Sequence, residues 1–90
     1  MWRIKYTKRF LKELSKTPED VRGKIERVVF VELKQSNPFS LGYMERLRGF
    51  KGKYKIRIGN YRIGLKVDKE AREIICLRVA HRKDIYKKFP

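Results

Sequence analysis

Alternating apolar and polar residues predict strands at the start of the chain and across its second half. Every second residue from Trp2 to Tyr6 is apolar and the residues between them are basic, which is typical of a half-buried strand. Similar patterns predict three further strands, near residues 53–58, 61–67 and 73–80. The turn pair Gly59-Asn60 joins the first two of these, and a polar turn over residues 68–72 joins the last two.

Two helices are expected between the first strand and the second. Thr7 is placed to cap a short helix whose apolar side is formed by Phe10, Leu11 and Leu14. A second helix begins at Thr17-Pro18-Glu19-Asp20, which supplies a capping threonine, a proline at the first helical position and acids in the first turn. Its apolar stripe follows at helical spacing and ends near Ser36-Asn37-Pro38: Val21, Ile25, Val28, Val29 and Leu33.

These elements predict an α+β fold in one domain that spans residues 1–90. The expected order is β-α-α-β-β-β with a short C-terminal helix, in which Ile85 and Phe89 are four residues apart. The helical hairpin should cover one face of a four-stranded, antiparallel-rich sheet, and residues 37–52 should form a long connection. The other face of the sheet is expected to be open and to carry the function.

The predicted hairpin around Gly59-Asn60 directs its cations to that open face. With a two-residue loop, Arg57 faces Arg62 and Lys53 faces Lys66, while the apolar residues of both strands share the opposite face. No carboxylate lies among the polar positions of the hairpin, and arginines directly opposite each other repel unless an anion binds there. Three more cations have the parity to join this face: Arg3, Lys5 and Arg78.

Composition supports an anionic partner. The chain has 25 Lys and Arg against 10 Asp and Glu, a net charge of +15. Five charged positions taken at random would therefore all be cationic roughly one time in five, so the cationic face of the hairpin is only suggestive by itself. Such a charge favours nucleic acid over membrane, because no long basic amphipathic helix and no membrane-spanning apolar run are present. Cys76 is the single cysteine, so an internal disulfide and a cysteine-based zinc site are excluded. No metal or cofactor is expected, and the chain is interpreted as cytoplasmic, with a lysine-rich composition typical of thermophiles.

The chain resembles the RelE toxins of toxin–antitoxin systems in four short segments whose order and spacing carry the match: Leu47-Arg48-Gly49, Tyr54-Lys55-Ile56-Arg57, Gly59-Asn60-Tyr61-Arg62 and Val79-Ala80-His81-Arg82-Lys83-Asp84-Ile85-Tyr86. The resemblance covers essentially the whole chain. It implies a small basic ribonuclease that cleaves mRNA in the ribosomal A site and is neutralised by a cognate RelB-like antitoxin. An archaeal or thermophilic member of the family is expected.

The resemblance also implies the site residues. The basic hairpin positions of the family fall on Lys55, Arg57 and Arg62, the cation after the last strand on His81 or Arg82, and the C-terminal tyrosine on Tyr86. Several members have lysine where this chain has Arg57, and arginine cannot readily give up a proton, so Arg57 is expected to stabilise charge. Further contacts to RNA or the ribosome are expected from Arg48, Lys53, Lys66 and Arg78.

Metal-free RNA cleavage requires a base for the 2′-hydroxyl, cations for the phosphorane and an acid for the departing oxygen. Lys55 is the expected base, since neighbouring cations favour its neutral form, and Arg57 and Arg62 would hold the phosphate. His81 or Arg82 would assist the leaving group, although the acid and base assignments can be exchanged. Tyr86 would stack on a base or orient the 2′-hydroxyl, or else pack with Ile85 and Phe89.

Two other functions compete with this one. A ParE-like toxin would bind DNA gyrase, but such relatives generally lack the basic cluster with the terminal tyrosine. A non-catalytic RNA-binding module would bind many RNAs with steep salt dependence and release no cut products. An acidic or amphipathic antitoxin segment is the expected protein partner in the toxin interpretation.

Overall fold

A computed structural model describes residues 2–35 and 37–90 as an α+β fold. The strands are β1 (Arg3–Tyr6), β2 (Met44–Arg46), β3 (Lys53–Ile58), β4 (Tyr61–Asp68) and β5 (Glu73–His81). The helices are α1 (Lys8–Ser15), α2 (Glu19–Arg27), α3 (Leu33–Gln35) and α4 (Ile85–Lys88). A π-helical turn (Val28–Glu32) joins α2 to α3, and a 3-10 turn (Pro38–Leu41) precedes β2. None of the described helices is long and apolar enough to cross a membrane.

The strands form one mixed sheet in the order β1-β5-β4-β3-β2. Strand β1 pairs with β5 in parallel, and the other neighbours are antiparallel. The α+β class is confirmed, but the prediction of four strands is wrong, because β2 forms inside the expected connection. Only three residues make up β2, so its sequence shows too little alternation to reveal a strand.

The helices cover one face of the sheet and enclose the main hydrophobic core. Fully buried side chains of this core come from both layers: Phe10, Ile25, Val29 and Leu33 from the helices, and Ile56, Ile63, Leu65 and Ile74 from the strands. The Tyr6 hydroxyl donates to the Val29 carbonyl at 2.6 Å, so β1 is tied to the π-helical turn.

The two helix starts differ in how well their caps were predicted. The Thr7 hydroxyl accepts a hydrogen bond from the Phe10 amide at 3.0 Å, which confirms the first cap. The second cap is wrong by one residue, because Pro18 occupies the N-cap position without a side-chain bond. The Thr17 hydroxyl instead donates to the Glu13 carbonyl and closes the preceding helix.

The face away from the helices is partly covered by the C-terminal tail, which corrects the expectation of an open face. A second small cluster lies there, formed by Leu47, Leu77, Ala80, Ile85 and Phe89. The ring of Phe89 lies directly on Gly64, where a Cβ atom would meet ring carbons at 2.6 to 2.8 Å. Glycine at this strand position therefore makes room for the tail.

Candidate functional site

The β3–β4 hairpin has the predicted register. Ile58 pairs with Tyr61, so Gly59-Asn60 is the two-residue loop, and Arg57 lies opposite Arg62. Gly59 has a φ of +56°, a left-handed conformation that glycine adopts at no steric cost. The hairpin thus brings two guanidinium groups to neighbouring positions on the face that the tail partly covers.

The two arginines have different surroundings. Arg62 folds back over the turn, where its Nη1 donates to the carbonyls of Gly59 and Tyr61, both at 2.9 Å. Arg57 is exposed. The remaining N–H groups of both side chains can form bidentate bonds to an anion such as a phosphate, which would offset the repulsion between the two cations.

Lys55 and Tyr86 meet beside these arginines. The Lys55 ammonium group donates a hydrogen bond to the Tyr86 hydroxyl and lies 5.1 Å from the centre of the tyrosine ring. Tyr86 is 65% exposed, whereas Ile85 and Phe89 are 1% and 3% exposed. The alternative that Tyr86 packs with these two residues is therefore wrong, because the tail buries its neighbours and presents Tyr86 to Lys55.

Glu45 places a carboxylate at the same site. It is the register partner of Lys55 on β2, and its Oε2 lies 3.7 Å from the Lys55 Nζ. The absence of carboxylates holds for residues 53–67 but is wrong for the assembled face. The sequence alone does not reveal Glu45 as a site residue, because three residues are too few to predict β2, and without the strand the direction of the side chain is not defined.

The structure separates His81 from Arg82. His81 pairs with Tyr61, and the two rings meet edge to face at 5.4 Å between centroids. Because Tyr61 packs against the helix-side core, His81 lies on the face opposite Arg62. Arg82 is exposed beside the hairpin turn, where its amide donates to the Asn60 carbonyl at 2.7 Å. Of the two candidates, Arg82 is therefore the one beside the hairpin turn that separates Arg57 from Arg62.

The four cations proposed for wider RNA contacts are not equivalent. Arg48 is exposed in the loop between β2 and β3. Lys53 and Lys66 pair across the hairpin, and the Lys53 Nζ lies 6.0 Å from the centre of the Phe89 ring. Arg78 forms a close ion pair with Glu13 at 2.7 Å, and its side chain is 17% exposed, so its guanidinium group already has a partner within the protein.

The far edge of the sheet is less cationic than its sequence indicates. Lys5 and Arg3 both approach the carboxylate of Glu73, at 3.1 and 3.9 Å. At the hairpin, by contrast, Arg57, Arg62 and Arg82 have no carboxylate within 4.0 Å in residues 2–35 and 37–90. Positive charge without a nearby carboxylate is therefore concentrated at the hairpin and not at the β1 edge.

The arrangement supplies the parts of an anion site with proton-transfer groups beside it. Guanidinium donors can hold two oxygens of a phosphate, and Lys55, Tyr86 and Glu45 can each donate or accept a proton. In the described part of the chain, no three His, Cys, Asp or Glu side chains come together as a metal site. The hydrogen bond that joins the tail to β3 makes the site a joint product of the hairpin and the C-terminus.

Comparison with known proteins identifies relatives along the full chain. Residues 4–86 match the family described as ParE toxin of type II toxin–antitoxin system, parDE. The toxin RelE3 of Methanocaldococcus jannaschii is 36% identical over 90 residues, which cover 98% of this chain and 99% of that protein.

Solved structures agree with this relationship. The toxin in the RelB–RelE antitoxin–toxin complex of Methanococcus jannaschii superposes with a TM-score of 0.78 and 37% identity, over 96% of this chain and 99% of that one. The RelBE2 complex of Mycobacterium tuberculosis contains a chain with a TM-score of 0.72 and 26% identity, over 90% of this chain and 98% of that one. This chain therefore belongs to the RelE/ParE family of toxins of type II toxin–antitoxin systems.

Proposed function

We propose that this toxin of the RelBE type is a ribosome-dependent, metal-independent endoribonuclease that cleaves mRNA in the A site. The observation that carries the proposal is the contact between Lys55 and Tyr86 beside Arg57 and Arg62. A surface that only binds RNA needs cations, whereas cleavage also needs groups that move protons. Here both kinds of group lie on one side of the hairpin.

In the proposed reaction the 2′-hydroxyl oxygen attacks the adjacent phosphorus, and the bond from phosphorus to the 5′-oxygen breaks. Lys55 takes the 2′-hydroxyl proton in its neutral form, and the Glu45 carboxylate, 3.7 Å away, stabilises the ammonium group that results. Arg57 and Arg62 stabilise the phosphorane oxygens, and the departing 5′-oxygen takes a proton from solvent water. Tyr86 orients the 2′-hydroxyl through the hydroxyl group that contacts Lys55.

Arg82 is the proposed cation on the leaving-group side, because it adjoins the hairpin turn while His81 faces away. Arginine holds its proton at all physiological pH values, so Arg82 would stabilise the developing oxyanion electrostatically. The products are a 2′,3′-cyclic phosphate and a free 5′-hydroxyl.

Dependence on the ribosome follows from the modest acid–base equipment of the site. A message held in the correct geometry converts a loose encounter into an effectively intramolecular reaction, which is worth several kcal/mol. The net charge of +15 provides the attraction to ribosomal RNA, and Arg48, Lys53 and Lys66 extend the cationic surface away from the hairpin tip.

The proposed protein partner is a RelB-like antitoxin. The structurally similar chains from Methanococcus jannaschii and Mycobacterium tuberculosis occur in antitoxin–toxin complexes. An acidic or amphipathic segment would complement the charge of this chain and neutralise the toxin.

Primer extension on a message in a translating extract tests the proposed activity. The wild-type protein should produce discrete cuts within codons, and these should require ribosomes and disappear with Arg62→Ala. Arg27→Ala is the matched control, because this substitution also removes one positive charge. Arg27 lies on the helices, where it pairs with Glu32. Intact message with inhibited DNA supercoiling would instead favour a ParE-like gyrase toxin. Binding to many RNAs without cuts would favour a non-catalytic module.

A further inference from the structure

A β-bulge determines which way Arg78 points. Cys76 and Arg78 would share a face in an uninterrupted strand, because side chains alternate with a period of two. The register shifts here, so Leu65 pairs with Cys76 and Gly64 pairs with Arg78, which leaves Leu77 without a partner. Bulges re-aim side chains in this way. Arg78 therefore lies on the tail side of the sheet, although Cys76 is in the main core.

Glu13 of α1 receives this guanidinium in a fork. The Arg78 Nε lies 3.1 and 3.2 Å from the two carboxylate oxygens, and its Nη2 lies 2.7 Å from Oε2. Glu13 also accepts a hydrogen bond from the Val79 amide at 3.1 Å. The two side chains are only 17% and 19% exposed, so this pair is shielded far more than an ordinary surface ion pair.

The environment keeps Glu13 ionised. Burial acts to raise the pKa of its carboxyl, but the hydrogen bonds from Arg78 and Val79, with the charges of Arg78 and Lys88, outweigh burial and lower that pKa. The carboxylate thus remains available to hold Arg78 in one orientation at neutral pH.

The other side of Arg78 holds the tail. Its Nη1 donates to the Lys88 carbonyl at 3.1 Å, and the next residue, Phe89, lies on Gly64, the register partner of Arg78. The tail is therefore fixed to the sheet at two consecutive residues. Ile85, which is 1% exposed, provides the anchor at the other end of α4.

Tyr86 lies between these anchors. A helix of four residues is not stable by itself, so the position of α4 must be imposed by what holds its ends. Tyr86 is largely exposed, and the hydrogen bond of its hydroxyl is with Lys55. We propose that Glu13 and Arg78 are positioning residues, which clamp the Lys88 carbonyl and thereby hold the Tyr86 hydroxyl against Lys55. The consequence for catalysis rests on the proposed function, whereas the clamp itself does not.

The test combines a measurement of tail position with a measurement of rate, on Arg78→Lys. This variant keeps the positive charge but loses the fork and the additional bond to the tail. One Gly64 α-proton points into the face of the Phe89 ring, so its NMR signal should be shifted upfield in the wild type. The upfield shift should be lost in Arg78→Lys. The single-turnover rate of cleavage on programmed ribosomes should fall about tenfold to a hundredfold, with unchanged ribosome affinity.

Three controls make the result specific. Arg27→Lys alters an ion pair on the helices and should change neither the Gly64 signal nor the rate. Tyr86→Phe should slow the wild type but have little further effect in Arg78→Lys, because a displaced tyrosine no longer contributes. Glu13→Gln retains an acceptor for Val79 while removing the charge, and it should have the same effects as Arg78→Lys. If Arg78→Lys folds poorly, Glu13→Gln takes its place as the test.

A Gly64 signal that stays upfield in both Arg78→Lys and Glu13→Gln would overturn the proposal, as would full additivity of Arg78→Lys with Tyr86→Phe. Reduced ribosome affinity with an unchanged rate would also overturn it, since that is the behaviour of a simple RNA-binding cation. Failure of the wild type to cleave at all would refute the proposed function, and the Gly64 signal would still decide whether the pair holds the tail.

Discussion

Gly64→Ala probes the contact between the tail and the sheet with a single methyl group. The new Cβ would lie 2.6 to 2.8 Å from three carbons of the Phe89 ring, well inside the 3.4 Å at which ordinary contact begins. Gly64 is inside β4, and its backbone lies outside the positive-φ region, so the backbone tolerates alanine. The ring must therefore move, and the tail must move with it.

The size of the effect follows from two opposing contributions. Full burial of a phenylalanine side chain stabilises a fold by about 1.5–3 kcal/mol, and Phe89 is only 3% exposed. Replacing glycine by alanine within a strand returns about 0.5–1 kcal/mol. The expected net loss is about 1–2 kcal/mol in the free energy of unfolding, measured by urea denaturation.

Two comparisons test whether the loss of stability comes from a clash between the new methyl group and the Phe89 ring. Gly23→Ala in α2 adds a methyl group that meets nothing within 4 Å, and it should stabilise the protein by about 0.8–1 kcal/mol. Gly64→Ala in a Phe89→Ala background should likewise stabilise, because the clash has been removed. If Gly64→Ala in the wild type were as stabilising as Gly23→Ala, the described contact between Phe89 and Gly64 would be refuted.

Three further predictions concern other parts of the fold. Thr7→Ala removes the acceptor for the Phe10 amide and the donor to the Leu77 carbonyl. It should lower the free energy of unfolding, measured by urea denaturation, by about 1–2 kcal/mol, and a loss below about 0.3 kcal/mol would contradict the cap. The lowered pKa of Glu13 means that its stabilising contribution is present above its ordinary value of 4.5 and is lost as the pH falls through the lower folded value. Denaturation at a series of pH values should accordingly show a shallower loss of stability in acid for Glu13→Gln than for the wild type, and identical slopes would contradict the ion pair. Burial raises the pKa of the Cys76 thiol to about 12, so a thiol reagent at pH 8 should modify it only as fast as the protein opens; rapid labelling of the native state would contradict this.

Local signals in the sequence were enough to predict most of the elements and the hairpin register. Glycine and asparagine at the turn, with strict alternation on both sides, allow one pairing, and the structure has that pairing. The Thr7 cap is equally local, because its partner is three residues away. In both cases the deciding interactions lie within a few residues of each other.

The features that were missed depend on contacts between distant residues. Strand β2 forms because β3 is there to pair with it, and three residues carry no pattern of their own. The ion pair of Glu13 with Arg78 joins residues 65 positions apart and also requires the bulge in β5. Only Gly64 carried a usable signal, since glycine within a strand often marks a close approach of another group.

Only part of the candidate site could be predicted from the sequence, because some of its residues are brought together by contacts between distant segments. The resemblance to RelE toxins pointed to the hairpin cations and Tyr86, and the structure brings Lys55, Arg57, Arg62 and Tyr86 to one side of the sheet. Glu45 was missed with its strand. His81 and Arg82 could not be separated from sequence, because a one-residue difference at the end of a strand reverses the face.

We propose that Lys55, at its contact with Tyr86, takes part in cutting RNA. The most direct measurement is the single-turnover rate of mRNA cleavage on programmed ribosomes, with Lys55→Ala compared with the wild type at saturating toxin. Loss of a general acid or base should lower that rate by about a hundredfold or more, while ribosome binding persists. An unchanged rate at saturation would contradict a role of Lys55 in the cleavage step and leave it as a residue that only binds.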